Sequence, residues 1–255
     1  MNTHRPAHKD KPLLIHLPEM RRLWIASIAI GSAFLVVALA LWAQVGIDKS
    51  VLLYFNPMRI AMGPLVIISR WLSSNGMAAV TAIFVVYLVV SKRVKHLDAP
   101  LTFYLYTICS FAVSGIAGDL LKEVLARPRP AATYGSEILA LSQSVTPAIP
   151  SGHATKSIAL VLPFILLVSN SNLLHRVIKT AVGLMAIGVC LSRIILGAHY
   201  VSDVLAGIGM ALVGFPLSMM FANRLLRRMK PEELPRRSYV WGLILILLTA
   251  VFMVL

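Results

Sequence analysis

Hydrophobic residues fall along the chain in seven blocks, at 23–45, 76–91, 101–121, 155–169, 177–197, 203–222 and 239–255, separated by polar or basic breaks. Most approach the ~20 apolar residues that a helix needs to cross a bilayer. The pattern predicts an all-α, polytopic membrane helix bundle. The first block imitates a signal peptide, because Ala38-Leu39-Ala40 resembles a cleavage site. Its apolar stretch outruns the 7–15 residues of a signal's hydrophobic region, so it is read as a span. The stretch 50–72 breaks the pattern with Pro57, Arg59, Pro64 and Arg70 and reads as an interfacial or re-entrant helix pair. The chain divides into a frayed basic tail (1–22), a membrane core (23–222), a basic loop (223–238) and a last helix (239–255).

Composition strengthens this reading. The 255 residues are 58% hydrophobic and 13% charged, with mean hydropathy +0.81; soluble chains run near 45–50% and about 25%. A soluble domain and a disordered chain are both excluded. The net charge of +14 would suggest nucleic acid on a soluble protein. Here the basic residues crowd between apolar blocks, where the positive-inside rule and anionic headgroups account for them, and no nucleic-acid partner is expected. With seven spans and the N-terminus in the cytoplasm, 16 of the 24 Lys and Arg lie on the cytoplasmic side. This suits a bacterial inner-membrane protein. Cys109 and Cys190 both lie inside apolar runs and read as small core residues, without disulfide or zinc spacing.

The eight basic residues left on the far side are Lys49, Arg59, Arg70, Lys122, Arg127, Arg129, Lys156 and Arg193. Several belong to three polar clusters: Lys122 to Pro130, Pro150-Ser151-Gly152-His153, and Ser192 to Asp203. Parity brings all three to one face of the membrane. Singly, their members read as headgroup anchors, a helix cap and an interfacial histidine. Together they describe an anion site. Lys122, Arg129 and Arg193 supply fixed positive charge suited to phosphate oxygens. Ser151-Gly152 opens a helix, so free N–H groups face an incoming anion, and Gly152 allows close backbone approach. His199 and Asp203 are four apart and share a face if the helix starts near Gly197. A carboxylate on one imidazole nitrogen leaves the other free to attack, and His153 can protonate a leaving oxygen. An intramembrane Asp203 is costly unless paired.

Other residues are read more plainly. Arg127 is taken as a headgroup anchor, and Asp119 and Glu123 as local partners that place Lys122. The segment 131–149 is a long loop between motifs that shapes headgroup selectivity. Pro163 and Pro216 are helix kinks. The outer acids Asp48, Asp119, Glu123, Glu137 and Asp203 form no cluster suited to Mg²⁺, so no metal and no cofactor is expected.

Lys-x6-Arg-Pro from Lys122, Pro-Ser-Gly-His from Pro150 and Ser-Arg-x5-His-x3-Asp from Ser192 resemble the tripartite signature of the type 2 phosphatidic acid phosphatase (PAP2) superfamily, in order and without departure. The signature covers 122–203, about a third of the chain. The resemblance implies a six-helix membrane core, to which 239–255 is an addition. It also implies a metal-independent phosphatase working through a phosphohistidine. His199 would be the nucleophile, Asp203 its orienting partner and His153 the acid. Lys122, Arg129, Ser151, Gly152 and Arg193 would hold the phosphoryl oxygens. The site is expected at the periplasmic face and the substrate in the membrane. Lipid A 1-phosphate and undecaprenyl diphosphate lead the candidates, ahead of phosphatidylglycerophosphate and phosphatidic acid. Two alternatives stand beside hydrolysis: phosphoryl transfer to a lipid acceptor through the same histidine, and a non-enzymatic lipid-headgroup transporter or binding protein.

Overall fold

An apolar segment of bilayer length has one local way to satisfy its backbone, the α-helix, and a helix lies on each of the seven predicted blocks. The computed structural model describes residues 17–56, 63–91, 102–141, 144–170, 172–229 and 234–254. Its helices are α1 (Leu17–Ala43), α2 (Val45–Phe55), α3 (Gly63–Ser91), α4 (Phe103–Leu125), α5 (Pro130–Tyr134), α6 (Gly152–Leu167), α7 (Leu173–Ile195), α8 (Val201–Leu226) and α9 (Leu234–Val254). No strand occurs among the described residues. Met20–Ala43, Gly63–Ser91, Leu173–Ile195 and Val201–Leu226 are long and apolar enough to cross a membrane, while Gly152–Leu167 and Arg237–Phe252 are shorter apolar helices. The chain is a multi-pass membrane protein.

Two expectations change. The 50–72 stretch holds the end of one helix and the start of another, but the second is a helix of membrane-spanning length and not an interfacial or re-entrant one. α2 closes its first part, and α3 runs unbroken from Gly63 to Ser91, taking in Pro64 and Arg70. Pro64 is tolerated because it falls in the first turn, where its missing N–H has no intrahelical partner to lose. Pro57 and Arg59 lie outside the described residues. The 131–149 segment is not bare loop either, since α5 and a 3₁₀ turn at Gly135–Glu137 occupy its start.

α8 packs against α1, α4 and α6, while α3 packs on α7 and α9. Glycine lets α8 come close on two sides. A Cβ on Gly209 would stand 2.8 Å from the carbonyl oxygen of Gly31, and one on Gly31 2.9 Å from that of Gly209. Without a hydrophobic drive between helices in lipid, such small-residue contacts hold bundles together. A Cβ on Gly207 would stand 2.7 Å from the Ser151 carbonyl oxygen and 3.1 Å from the Thr155 nitrogen. Gly207 therefore seats the start of α6 against α8. At the other end of the bundle, Phe84, Tyr87, Phe103 and Phe164 form an aromatic cluster, with Tyr87 Oη 2.8 Å from His175 Nε2. Cys109 and Cys190 are free and buried, as expected of core residues.

Gly207→Val should force α6 and α8 apart at a cost of about 1–3 kcal/mol, the usual range for overpacking. The check is a lower midpoint of thermal unfolding in detergent. Gly183→Ala should not lower it, because a Cβ there meets Ile165 Cδ1 at an ordinary 3.7 Å.

Candidate active site

The turn between α7 and α8 is built around a left-handed glycine. Gly197 has φ +66°, and a Cβ there would stand 3.0 Å from the Leu139 carbonyl oxygen, so both conformation and space call for glycine. The next two amides, Ala198 and His199, donate to the Arg193 carbonyl at 3.0 and 3.2 Å. α8 then begins at Val201 with Tyr200 as its N-cap. Asp203, at the third helical position, reaches back so that its Oδ2 accepts from the Tyr200 amide at 3.0 Å. The same oxygen lies 3.3 Å from His199 Nδ1. The expected pair therefore forms, but for another reason. His199 precedes the helix, and the capping geometry of Asp203 brings the two together.

His199 is buried, with 1% exposure. Its Nε2 lies 3.3 Å from Arg129 Nη1. Guanidinium only donates and carboxylate only accepts, so the ring carries its proton on Nδ1 and leaves a lone pair on Nε2. Burial, then the charges of Arg129, Arg193 and Lys122, hold its pKa well below the ordinary imidazole value. Arg129 is fixed by Thr146, donating from Nε to its carbonyl at 2.7 Å and from Nη2 to its hydroxyl at 2.9 Å. Clefts of about 470 and 420 Å³ open beside Arg129.

The second cluster meets the third through the backbone. Ser151 caps α6, and its amide donates to the Asp203 carbonyl at 2.9 Å. Its own Oγ is buried without a hydrogen-bond partner, which is costly unless a ligand supplies one. At Gly152 a Cβ would stand 3.1 Å from Lys122 Nζ, so the missing side chain makes room for the ammonium group. Lys122 Nζ is 3.7 Å from Asp119 Oδ1, so Asp119 takes the partner role expected of it. Arg193 is buried and donates from Nη1 to Ser73 of α3. His153, at the first turn of α6, is within electrostatic reach of Arg193, His199, Lys122 and Arg129. All eight residues singled out in the sequence thus gather at one end of the bundle.

The reading of Arg127 as a headgroup anchor is wrong. Arg127 is 7% exposed and lies inside the protein. Nη1 donates to Asp203 Oδ1 at 2.7 Å and to Ser202 Oγ at 2.6 Å, and Nη2 donates to Asp48 Oδ2 at 2.8 Å. Its guanidinium carbon sits 3.9 Å from the centre of the Tyr200 ring. Asp48, on α2 and 1% exposed, also accepts from the Ser202 amide at 3.2 Å and from the Ser202 hydroxyl. The signal was present in the sequence: an acid at a span's edge needs a partner. Ser73 and Thr146 carried no such signal. Arg127→Met should destabilise the protein by about 3–5 kcal/mol, because two buried carboxylates lose their shared cation. Asp48→Asn, which keeps the shape and one acceptor, should cost less. Unfolding midpoints in detergent rank the two.

Residues 101–227 match the family model of the PAP2 superfamily. No curated protein matches the sequence. Among solved structures, the fold resembles a transmembrane PAP2 type phosphatidylglycerolphosphate phosphatase from Bacillus subtilis. The TM-score is 0.56 at 22% identity, over 80% of this chain and 98% of that one. The matched region holds the buried imidazole, its carboxylate and all the gathered cations, and the chain belongs to the PAP2 superfamily, as a membrane phosphatase of the PAP2 type.

Proposed function

We propose that this protein removes phosphate from a membrane lipid through a phosphohistidine on His199, at the periplasmic face of a bacterial inner membrane. One observation carries the reading: a buried imidazole lies with Nδ1 3.3 Å from Asp203 Oδ2 and Nε2 3.3 Å from Arg129 Nη1, an arrangement that suits a neutral ring with its lone pair on Nε2. The outward-facing orientation rests on the Lys and Arg bias of the loops.

In this mechanism the phosphoryl group lies among Lys122, Arg129 and Arg193, its oxygens meeting the Ser151 hydroxyl and the N–H groups that open α6. Nε2 attacks phosphorus as the bond to the lipid oxygen breaks. His153 gives that oxygen a proton, and Asp203 steadies the positive ring. Water then attacks phosphorus with His153 as base, and the electron pair of the N–P bond returns to Nε2. Phosphoryl transfer is mainly positioning and charge stabilisation, so three fixed cations take the place of a metal. Lipid A 1-phosphate, polyprenyl diphosphate, phosphatidylglycerophosphate and phosphatidic acid all present the required group. The solved relative's name adds weight to the third.

His199→Ala should abolish phosphate release by the purified protein. Radiolabelled substrate quenched in alkali should leave its label on His199 of the unaltered enzyme, and undiminished release by His199→Ala would sink the proposal. Asp203→Asn should lower kcat by roughly 10²–10⁴-fold with lipid binding kept. EDTA should leave the rate unchanged.

The pH dependence has a definite sign. Protonating Nε2 removes the nucleophile, and the lowered pKa of His199 puts that loss below the ordinary value of about 6.5. Arg129→Gln removes a repelling charge, raises the pKa of His199 and should move the acid limb of kcat/KM to higher pH. A limb that stays in place would contradict the assignment.

A further inference from the structure

α9 lies outside the matched region yet places one side chain at the site. The Phe252 ring centre is 5.1 Å from that of His153, and Lys156 Nζ lies 4.0 Å over the same phenyl ring. Lys156 is one turn along α6 from His153. Its stem lies along α4 at Gly115, where a Cβ would come within 2.8 Å of Lys156 Cε. Its ammonium pairs with Asp119 Oδ2 at 3.0 Å, while the other oxygen of Asp119 faces Lys122 at 3.7 Å. One carboxylate thus serves two ammonium groups, and the trio keeps a net positive charge continuous with the phosphate cradle.

This trio opens toward the lipid. The Asp119 side chain is 53% exposed, on a face of α4 that also presents Ile116, Leu120 and Val124. A carboxylate among lipid-facing side chains is expensive and marks a functional position. In-line displacement puts the leaving oxygen opposite His199, on the side of His153. Whatever that oxygen belongs to must lie against the neighbours of His153, which include Phe252 and Lys156.

We propose that Lys156, Asp119 and Phe252 form a leaving-group subsite that admits a second phosphate, with Lys156 tilting this chain toward lipid diphosphates over lipid monophosphates. The subsite rests on the phosphohistidine reading. With a diphosphate, the Nε2–P bond forms as the bond from the terminal phosphorus to the bridging oxygen breaks. The electron pair stays on that oxygen, which takes the proton of His153 and departs on a lipid monophosphate. Lys156, released from Asp119, neutralises the remaining charge on that phosphate. Water then frees inorganic phosphate from Nε2 as before. Phe252 gives Lys156 a fixed position through its ring face and offers the first apolar surface to the lipid chain.

The test compares farnesyl diphosphate with farnesyl monophosphate, which share one tail, using the full-length protein in detergent micelles. Lys156→Gln should lower the ratio of their kcat/KM values about tenfold or more, as expected for losing a charged hydrogen bond, and Lys156→Arg should restore it. Phe252→Ala should lower the ratio by less. An unchanged ratio in Lys156→Gln overturns the subsite. If that variant does not fold, the unaltered enzyme decides: pyrophosphate should inhibit monophosphate hydrolysis about tenfold more tightly than inorganic phosphate, and equal inhibition overturns the proposal. Phosphate release that persists in His199→Ala defeats the underlying mechanism instead, so the two failures are distinguishable.

Discussion

A carboxylate shut away from water at the first turn of a membrane helix has to be neutralised on every side, and the site is organised by how Asp203 achieves this. One oxygen takes the Arg127 guanidinium; the other faces the Tyr200 amide and the His199 imidazole. Its backbone carbonyl receives the Ser151 amide. Four contacts thus join α8 to the exit of α4, to the α7–α8 turn and to the start of α6. Asp48 then completes the pairing of Arg127 from α2. Stripping water from such groups is costly, and only full pairing repays it. The reward is an imidazole whose tautomer and direction are settled before a ligand arrives.

Positive charge is distributed by the same logic. Arg127 is spent on two carboxylates, whereas Arg129 meets two carbonyls, a hydroxyl and a ring nitrogen, none of them an anion. Lys122 has only a share in the half-exposed Asp119. Cations gathered at one buried place repel each other, and burial first, then their field, lowers the basicity of His199. An anion relieves that repulsion and supplies a partner for the buried Ser151 hydroxyl. The same arrangement therefore disfavours protonation of His199, as its proposed role as nucleophile requires, and favours an anionic group such as phosphate at the site.

Much of this was legible in the sequence because its cause is local. Helix positions follow from apolar runs, and the His199–Asp203 spacing, the Ser151-Gly152 helix start and the Lys122–Arg129 cluster each lie within a few residues. What escaped depends on distant partners. Arg127 looked like an anchor because Arg-Pro-Arg at a span's end usually is one, and its partners stand 76 and 79 positions away. Ser73 lies 120 residues from Arg193. The second part of the 50–72 segment was not read as a long helix because Pro64 was weighed as a breaker, although in a first turn it breaks nothing. Even the correct pairing of His199 with Asp203 arises from a capped helix start rather than from two residues on one helical face.

The distant contributors share a further property. Asp48, Ser73 and Phe252 come from α2, α3 and α9, all outside the 101–227 region that matches the superfamily. That region holds every residue proposed to react with or cradle the phosphate. Helices beyond it add a counter-ion for Arg127, a hydroxyl for Arg193 and an apolar wall beside His153. In the proposed mechanism these touch how the groups are held and what lies beyond the leaving oxygen, rather than the phosphorus itself. A fold in which the reacting core is separate from its surrounding helices can keep one reaction while the surroundings change the lipid. In the proposed mechanism α9, whose Phe252 lies beside His153, is the part of that surround nearest the leaving group, and selectivity should follow it more closely than turnover.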